Sequence, residues 1–207
     1  MIRRGITVKI AATGALLRLL RITGWMVVIG IVGLPATGMT REARDDSCAY
    51  GVKSGFLLNF ARLVRWPADL AARDNEPLVI GLAGGDASVA LLQGHLDRRT
   101  VRGHPVQTRR LTAGDDPSGY AIVFVARDSP GALADALSAL PGRGLLLVGE
   151  TPGFAGRGGV INFYADAGRV RFEINRGEAT RRALVISSRL LDLARLVSDA
   201  PPAASDR

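Results

Sequence analysis

Residues 152–175 read PGFAGRGGVINFYADAGRVRFEIN, and this stretch decides how the chain is organised. Two runs in it suit β-strands, Val160–Tyr164 and Val170–Asn175. In the second, Val170, Phe172 and Ile174 alternate with Arg171, Glu173 and Asn175, the period of two that gives a strand one buried face. The connector Ala165-Asp166-Ala167-Gly168-Arg169 is short and holds the Asp and Gly of a tight turn, so the pair predicts an antiparallel hairpin. Upstream, Gly153, Gly156, Gly158 and Gly159 supply the backbone freedom for a sharp loop. Downstream, Arg189–Val197 puts Leu190, Leu193, Ala194 and Val197 on one helical face and Arg189, Asp192 and Arg195 on the other. The hairpin is expected to be the platform on which that last helix packs.

Working back from the hairpin, three continuous apolar runs suit buried strands: Pro77–Ala83 (PLVIGLA), Tyr120–Ala126 (YAIVFVA) and Gly144–Val148 (GLLLV). Helical patterns at Ala87–Leu96 and Pro130–Leu140 separate them, with Asp86 expected to cap the first. Short strand pieces, Thr100-Val101 and Val106–Leu111, flank Arg102-Gly103-His104-Pro105. Fully apolar strands alternating with helices predict βαβ units and a parallel sheet, to which the hairpin adds antiparallel edge strands. A first helix is expected from Ser47, its N-cap, to Trp66-Pro67; Val52, Phe56, Phe60, Leu63 and Val64 form its apolar face, with Asn59 among them. The expected fold is a single Rossmann-like, three-layer α/β domain. Its sheet is mixed and mostly parallel, followed by a C-terminal antiparallel hairpin and a C-terminal helix.

The net charge of +8 invites a nucleic-acid reading, but the charge is unevenly placed. Arg3, Arg4, Lys9, Arg18 and Arg21 precede residue 38, and no acid does. Of 27 basic residues, 22 then remain against 19 acidic ones, a net of +3. The arginine doublets 98–99, 109–110 and 181–182 have no aromatic stacking platform among them, which argues against nucleic acid. The leader has a basic region, the apolar run Trp25–Leu34 and small residues at Pro35-Ala36-Thr37-Gly38, the pattern of an export signal over residues 1–38. That apolar run is shorter than the roughly 20 residues that span a bilayer. The domain is placed at 47–198 and a flexible tail at 199–207. Cys48 is the single cysteine, so no intrachain disulfide contributes.

No catalytic set is visible. The two histidines, His95 and His104, stand apart and lack metal-ligand spacing, and no serine lies in a G-x-S-x-G turn. Ser187-Ser188 read as a helix N-cap, and Asp115-Asp116 as turn residues. GLAGGD at 81–86 lacks both G-x-G-x-x-G spacing and a following G-K-[ST], so a phosphate cradle is disfavoured and glycine is read as βα-turn chemistry. No cofactor and no metal are expected. What remains is a binding surface. Arg171, Glu173 and Asn175 on the polar side of the hairpin, Asn162 and Tyr164 on the facing strand, and Phe154 and Arg157 on the Gly-rich loop are the candidate partner-binding residues, since interfaces enrich aromatic and arginine side chains. For each residue a purely structural role is the competing reading, Glu173 as a surface ion-pair member among them.

Three blocks also carry a family resemblance. GFAGRGGVINF…RVRFEIN with ISSRLLDLARLV, SGFLLNFARLVRWP at 54–67, and RRTVRGHPVQTRRL at 98–111 are similar, in order, to the YfiR-like family of periplasmic proteins. The resemblance implies a periplasmic repressor that binds the periplasmic domain of an inner-membrane diguanylate cyclase and so lowers cyclic-di-GMP. It further implies sequestration by an OmpA/Pal-like outer-membrane lipoprotein, and a homodimer. The alternatives are a periplasmic small-ligand sensor or carrier, with its crevice near Gly84–Asp86 and Gly149–Thr151, and a hydrolase using Asp86 or His95.

Overall fold

The apolar runs are continuous because the sheet they build is covered on both faces. The computed structural model describes residues 41–69, 76–139 and 142–199. In chain order the elements are α1 (Arg41–Leu63), β1 (Val64–Arg65), β2 (Leu78–Ala83), α2 (Asp86–Leu96), β3 (Thr100–Val101) and β4 (His104–Arg110). There follow β5 (Ile122–Val125), α3 (Gly131–Ala139), β6 (Leu146–Gly149), a 3₁₀ turn at Phe154–Arg157, β7 (Ile161–Asp166) and β8 (Arg169–Asn175). The chain then forms α4 (Arg176–Arg181), β9 (Val185–Ile186), α5 (Ser188–Leu191) and β10 (Arg195–Val197). The expected leader at 1–38 and the tail beyond Asp199 lie outside the described residues.

One sheet runs in the order β10-β8-β7-β6-β5-β2-β4-β3, and β1 with β9 makes a separate two-stranded ribbon. Strands β4, β2, β5, β6 and β7 are parallel, while the β7–β8 hairpin and the β3–β4 hairpin are antiparallel. Successive side chains face opposite ways. Ile80, Ile122, Phe124, Leu146 and Val148 therefore meet α1 and α2, while Ala83, Val123, Val125 and Leu147 meet Leu133 and Leu137 of α3. This is the expected three-layer α/β arrangement, with a mostly parallel central sheet.

Several details differ from expectation. Helix α1 starts at Arg41, so Ser47 lies inside it. Its buried face is Lys53, Ser54, Leu57, Phe60 and Ala61, while Val52 and Asn59 are exposed. Each residue advances a helix by about 100°, and Phe56 and Phe60 are turned to meet Phe163 and Phe172 at centroid separations of 5.2–5.9 Å. That rotation carries Val52 and Asn59 out. The helix lying on the hairpin is thus the first, with the last adding the buried Leu190 and the half-buried Leu191 to the same core. The C-terminal helix is a single turn, and the expected continuation through Val197 is instead β10, parallel to β8. A strand there pairs backbone groups on β8 that a helix would leave open. In consequence the hairpin is internal to the sheet, and Leu193 is exposed. At the helix starts, Gly85 occupies the N-cap position expected for Asp86, and Ser187 caps α5 by position with no side-chain bond.

Candidate functional site

The sheet order fixes where a ligand crevice can form. From β2 the chain moves out to β4 through α2, then crosses back to β5 on the other side of β2. Open α/β sheets bind ligands beyond the strand C-termini at such a switch point. A cleft of about 410 Å³ lies there, lined by Tyr50 and Lys53 of α1, Ser88 and Leu91 of α2, Arg127 and Asp128 after β5, and Glu150 after β6. Its centre is the buried Glu150 carboxylate. That group accepts from the Tyr50 hydroxyl at 2.9 Å and from the Arg127 backbone N–H at 2.8 Å, and is ion-paired with the buried Lys53 ammonium. Burial, reinforced by the neighbouring carboxylate, pushes the Tyr50 phenol well above its ordinary range.

The Asp128 carboxylate fills the other side of the cleft. Ser88 Oγ donates to it at 2.8 Å, and a Cβ on Gly85 would stand 2.5 Å from Asp128 Oδ2. The glycines of GLAGGD therefore make room for an acidic side chain of the chain itself beside the first turn of α2. In nucleotide-binding sheets a phosphate takes the corresponding place; here a bound phosphate would face a carboxylate. Among the described residues no group of three or more His, Cys, Asp or Glu is arranged to hold a metal ion. Asp115 and Asp116 hold turns, accepting from Thr112 and from Ser118.

The second polar assembly crosses the hairpin. Asn162, Glu173 and Arg195 stand in register on β7, β8 and β10. Asn162 Nδ2 donates to Glu173 Oε1 at 3.0 Å, and Arg195 Nε donates to Glu173 Oε2 at 3.1 Å. The Arg195 guanidinium also lies over the Tyr164 ring, 4.3 Å from its centroid. Tyr164 faces Arg171 across the strands, and Arg171 approaches Asp166 at 3.7 Å. At the far end of β8, Asn175 Oδ1 caps α4 by accepting from the Glu178 N–H at 3.0 Å, while its Nδ2 donates to Ala155 O and to Asp199 Oδ1. Arg181 and Asn175 together hold the Asp199 carboxyl below its ordinary range.

Of the seven residues singled out by sequence, Phe154, Asn162, Glu173 and Asn175 are buried, and Arg157, Tyr164 and Arg171 reach the surface. Glu173 is an ion-pair member, but a buried one: its partner is Arg195, in register beside it on β10, and not Arg171. Phe154 packs its ring over Gly149, where a Cβ would stand 2.5 Å away, and over Gly159. One of the loop's glycines, Gly159, and the last residue of β6, Gly149, thus serve close packing. Tyr164 and Arg171 adjoin; Arg157 donates to Pro152 O at 3.0 Å, and no described contact links it to that pair. Arg195 was missed because it was assigned to a helix. Tyr50 and Lys53 were legible in principle: they share a helical face with Ser54 and Leu57 at i, i+3, i+4, i+7, and Glu150 directly follows an apolar strand.

These features define an α/β domain of the Rossmann-like kind whose strand-end crevice is lined by its own ion-paired side chains. The chain belongs to the YfiR/HmsC-like family, whose profile matches residues 50–195. The matched span runs from Tyr50 in α1 to Arg195 in β10, taking in the strand-end cluster and the Asn162–Glu173–Arg195 row. Members of that family are periplasmic regulators and not enzymes. No curated protein matches the chain.

Proposed function

We propose that this protein is an exported repressor that binds the periplasmic sensor domain of an inner-membrane diguanylate cyclase and lowers cyclic-di-GMP output. The family match across residues 50–195 carries the reading. It is supported by a crevice whose central charges, Lys53 and Glu150, are already ion-paired within the chain, which leaves protein contact as the better-supplied activity. The accessible partner-binding set is Tyr164, Arg171 and Arg157, joined by Arg195, which the buried Glu173, itself bonded by Asn162, holds in place; the buried Phe154 and Asn175 keep structural roles. A rigid, aromatic and arginine surface is what interface hot spots favour. Repression then works by population shift, the protein binding the inactive cyclase better than the active one. Release by an OmpA/Pal-like lipoprotein, and a homodimer that spans two cyclase protomers, complete the proposal, with residues 1–38 as the export signal.

The test is cyclic-di-GMP in the native host with the gene deleted, then restored with and without residues 1–38. A rise on deletion that only the exported form reverses supports the proposal; an unchanged level, where the protein is normally made, refutes it. The 410 Å³ cleft favours one second reading, a small-ligand sensor. A defined metabolite that raises the melting temperature, and ceases to do so in Asp128→Ala, would support that reading.

A further inference from the structure

The two edges of the sheet are built differently, and the β3–β4 edge carries an unusual charge. Between residues 98 and 110 stand five arginines and no carboxylate. Arg110 pairs with Asp86, whereas Arg99 and Arg102 donate to the backbone carbonyls of His95 and Arg62. Among the described residues no carboxylate is ion-paired with Arg98, Arg99, Arg102 or Arg109, and all four are exposed. Two of them sit in left-handed backbone, Arg98 with φ 64° and Arg102 with φ 52°. In that region a Cβ crowds the following carbonyl, and glycine or asparagine is the unstrained choice. Holding guanidinium groups at such positions costs backbone energy, the kind of local strain that points to use.

The same edge is open to pairing. Strand β3 covers only the start of β4, at Pro105 and His104. Val106 N–H points outward to Arg99 O at 2.8 Å, and Leu111 N–H points inward to Leu82 O at 2.9 Å. Alternation along a parallel strand then directs the N–H and C=O of Thr108 and Arg110 outward, beyond the end of β3. No described strand takes them.

We infer that the β4 edge is a docking surface for an extended acidic peptide segment of a partner protein, which adds a strand outside Gln107–Arg110 and sets its carboxylates against Arg98 and Arg109. Strand addition supplies hydrogen bonds through the backbone, and the side-chain charges supply specificity. Nucleic acid fits less well, since residues 98–110 contain no Phe, Tyr or Trp on which bases stack. An anionic lipid surface would use the charges but not the row of outward amides. The inference does not rest on the proposed cyclase control.

The experiment is amide hydrogen exchange on the purified protein with a capped octapeptide of alternating threonine and glutamate. Three controls accompany it: the same peptide N-methylated at alternate residues, a threonine–lysine peptide, and phosphatidylglycerol vesicles. Exchange at Thr108 and Arg110 is expected to slow by at least about tenfold with the acidic peptide alone. Binding should weaken with salt, and by about tenfold in Arg98→Gly, a change compatible with its backbone, and in Arg109→Ser. Three results would overturn the inference: no binding at millimolar peptide, equal binding of the N-methylated peptide, or equal protection by the vesicles.

Discussion

Removing the Glu150 carboxylate tests whether the strand-end cluster is a buried electrostatic tie. The Glu150 side chain is 2% exposed and that of Lys53 9%. Three donors converge on the carboxylate, from α1, from the loop after β5 and from Lys53. In Glu150→Ala the Lys53 ammonium is left buried without its counter-charge, which costs about 3–5 kcal/mol. Loss of an acceptor for the Arg127 N–H adds about 1–3 kcal/mol where water does not replace it. The expected total of about 4–8 kcal/mol corresponds to a fall in melting temperature of roughly 8–32 °C for a domain of this size. In Lys53→Met/Glu150→Leu both charges go together, so most of that loss should disappear, since replacing a buried pair by apolar groups is often neutral or better. Thermal and urea unfolding of the wild type, Lys53→Met, Glu150→Leu and the double variant give the coupling energy. A loss below about 1 kcal/mol in Glu150→Ala, the range of exposed pairs, would refute the reasoning and show the cluster to be solvated.

Phe154→Ala should cost about 3–5 kcal/mol, as for a buried aromatic, whereas Arg157→Ala three residues on should change stability by less than about 0.5 kcal/mol; urea midpoints separate them. Ala167→Gly should raise stability by about 1 kcal/mol by relieving its left-handed backbone in the hairpin turn, checked by thermal unfolding. Asp199, Asp115 and Asp116 have carboxyls held below their ordinary range by hydrogen bonds. Their stabilisation is present above the unfolded value near pH 4 and is lost as pH falls through the lower folded values. Acid unfolding should therefore be shallower in Asp199→Asn. Tyr50 has the opposite sign: a raised phenol stabilises below about pH 10 and that contribution is lost as pH climbs further, so Tyr50→Phe should flatten the alkaline limb.

The sequence by itself determined the class of fold. Runs such as YAIVFVA and GLLLV are apolar at every position, which only a sheet covered on both faces satisfies, and the helical patterns between them make the sheet parallel. The hairpin was equally legible, because its turn chemistry and its alternation are local. The tertiary structure alone decided which polar residues are buried. Glu173 and Asn175 alternate outward from Phe172 and Ile174, yet both are buried, Glu173 paired with Arg195 of β10 and Asn175 capping α4 and bonded to Ala155 O. Residues 189–197 fit a helical wheel, but the open edge of β8 supplied hydrogen bonds that turned 195–197 into a strand. The partnership of Lys53 with Glu150, 97 residues apart, is likewise invisible to any local pattern. Burial and ion pairing depend on what the chain brings together over long sequence distances, whereas periodicity records only what each segment prefers on its own.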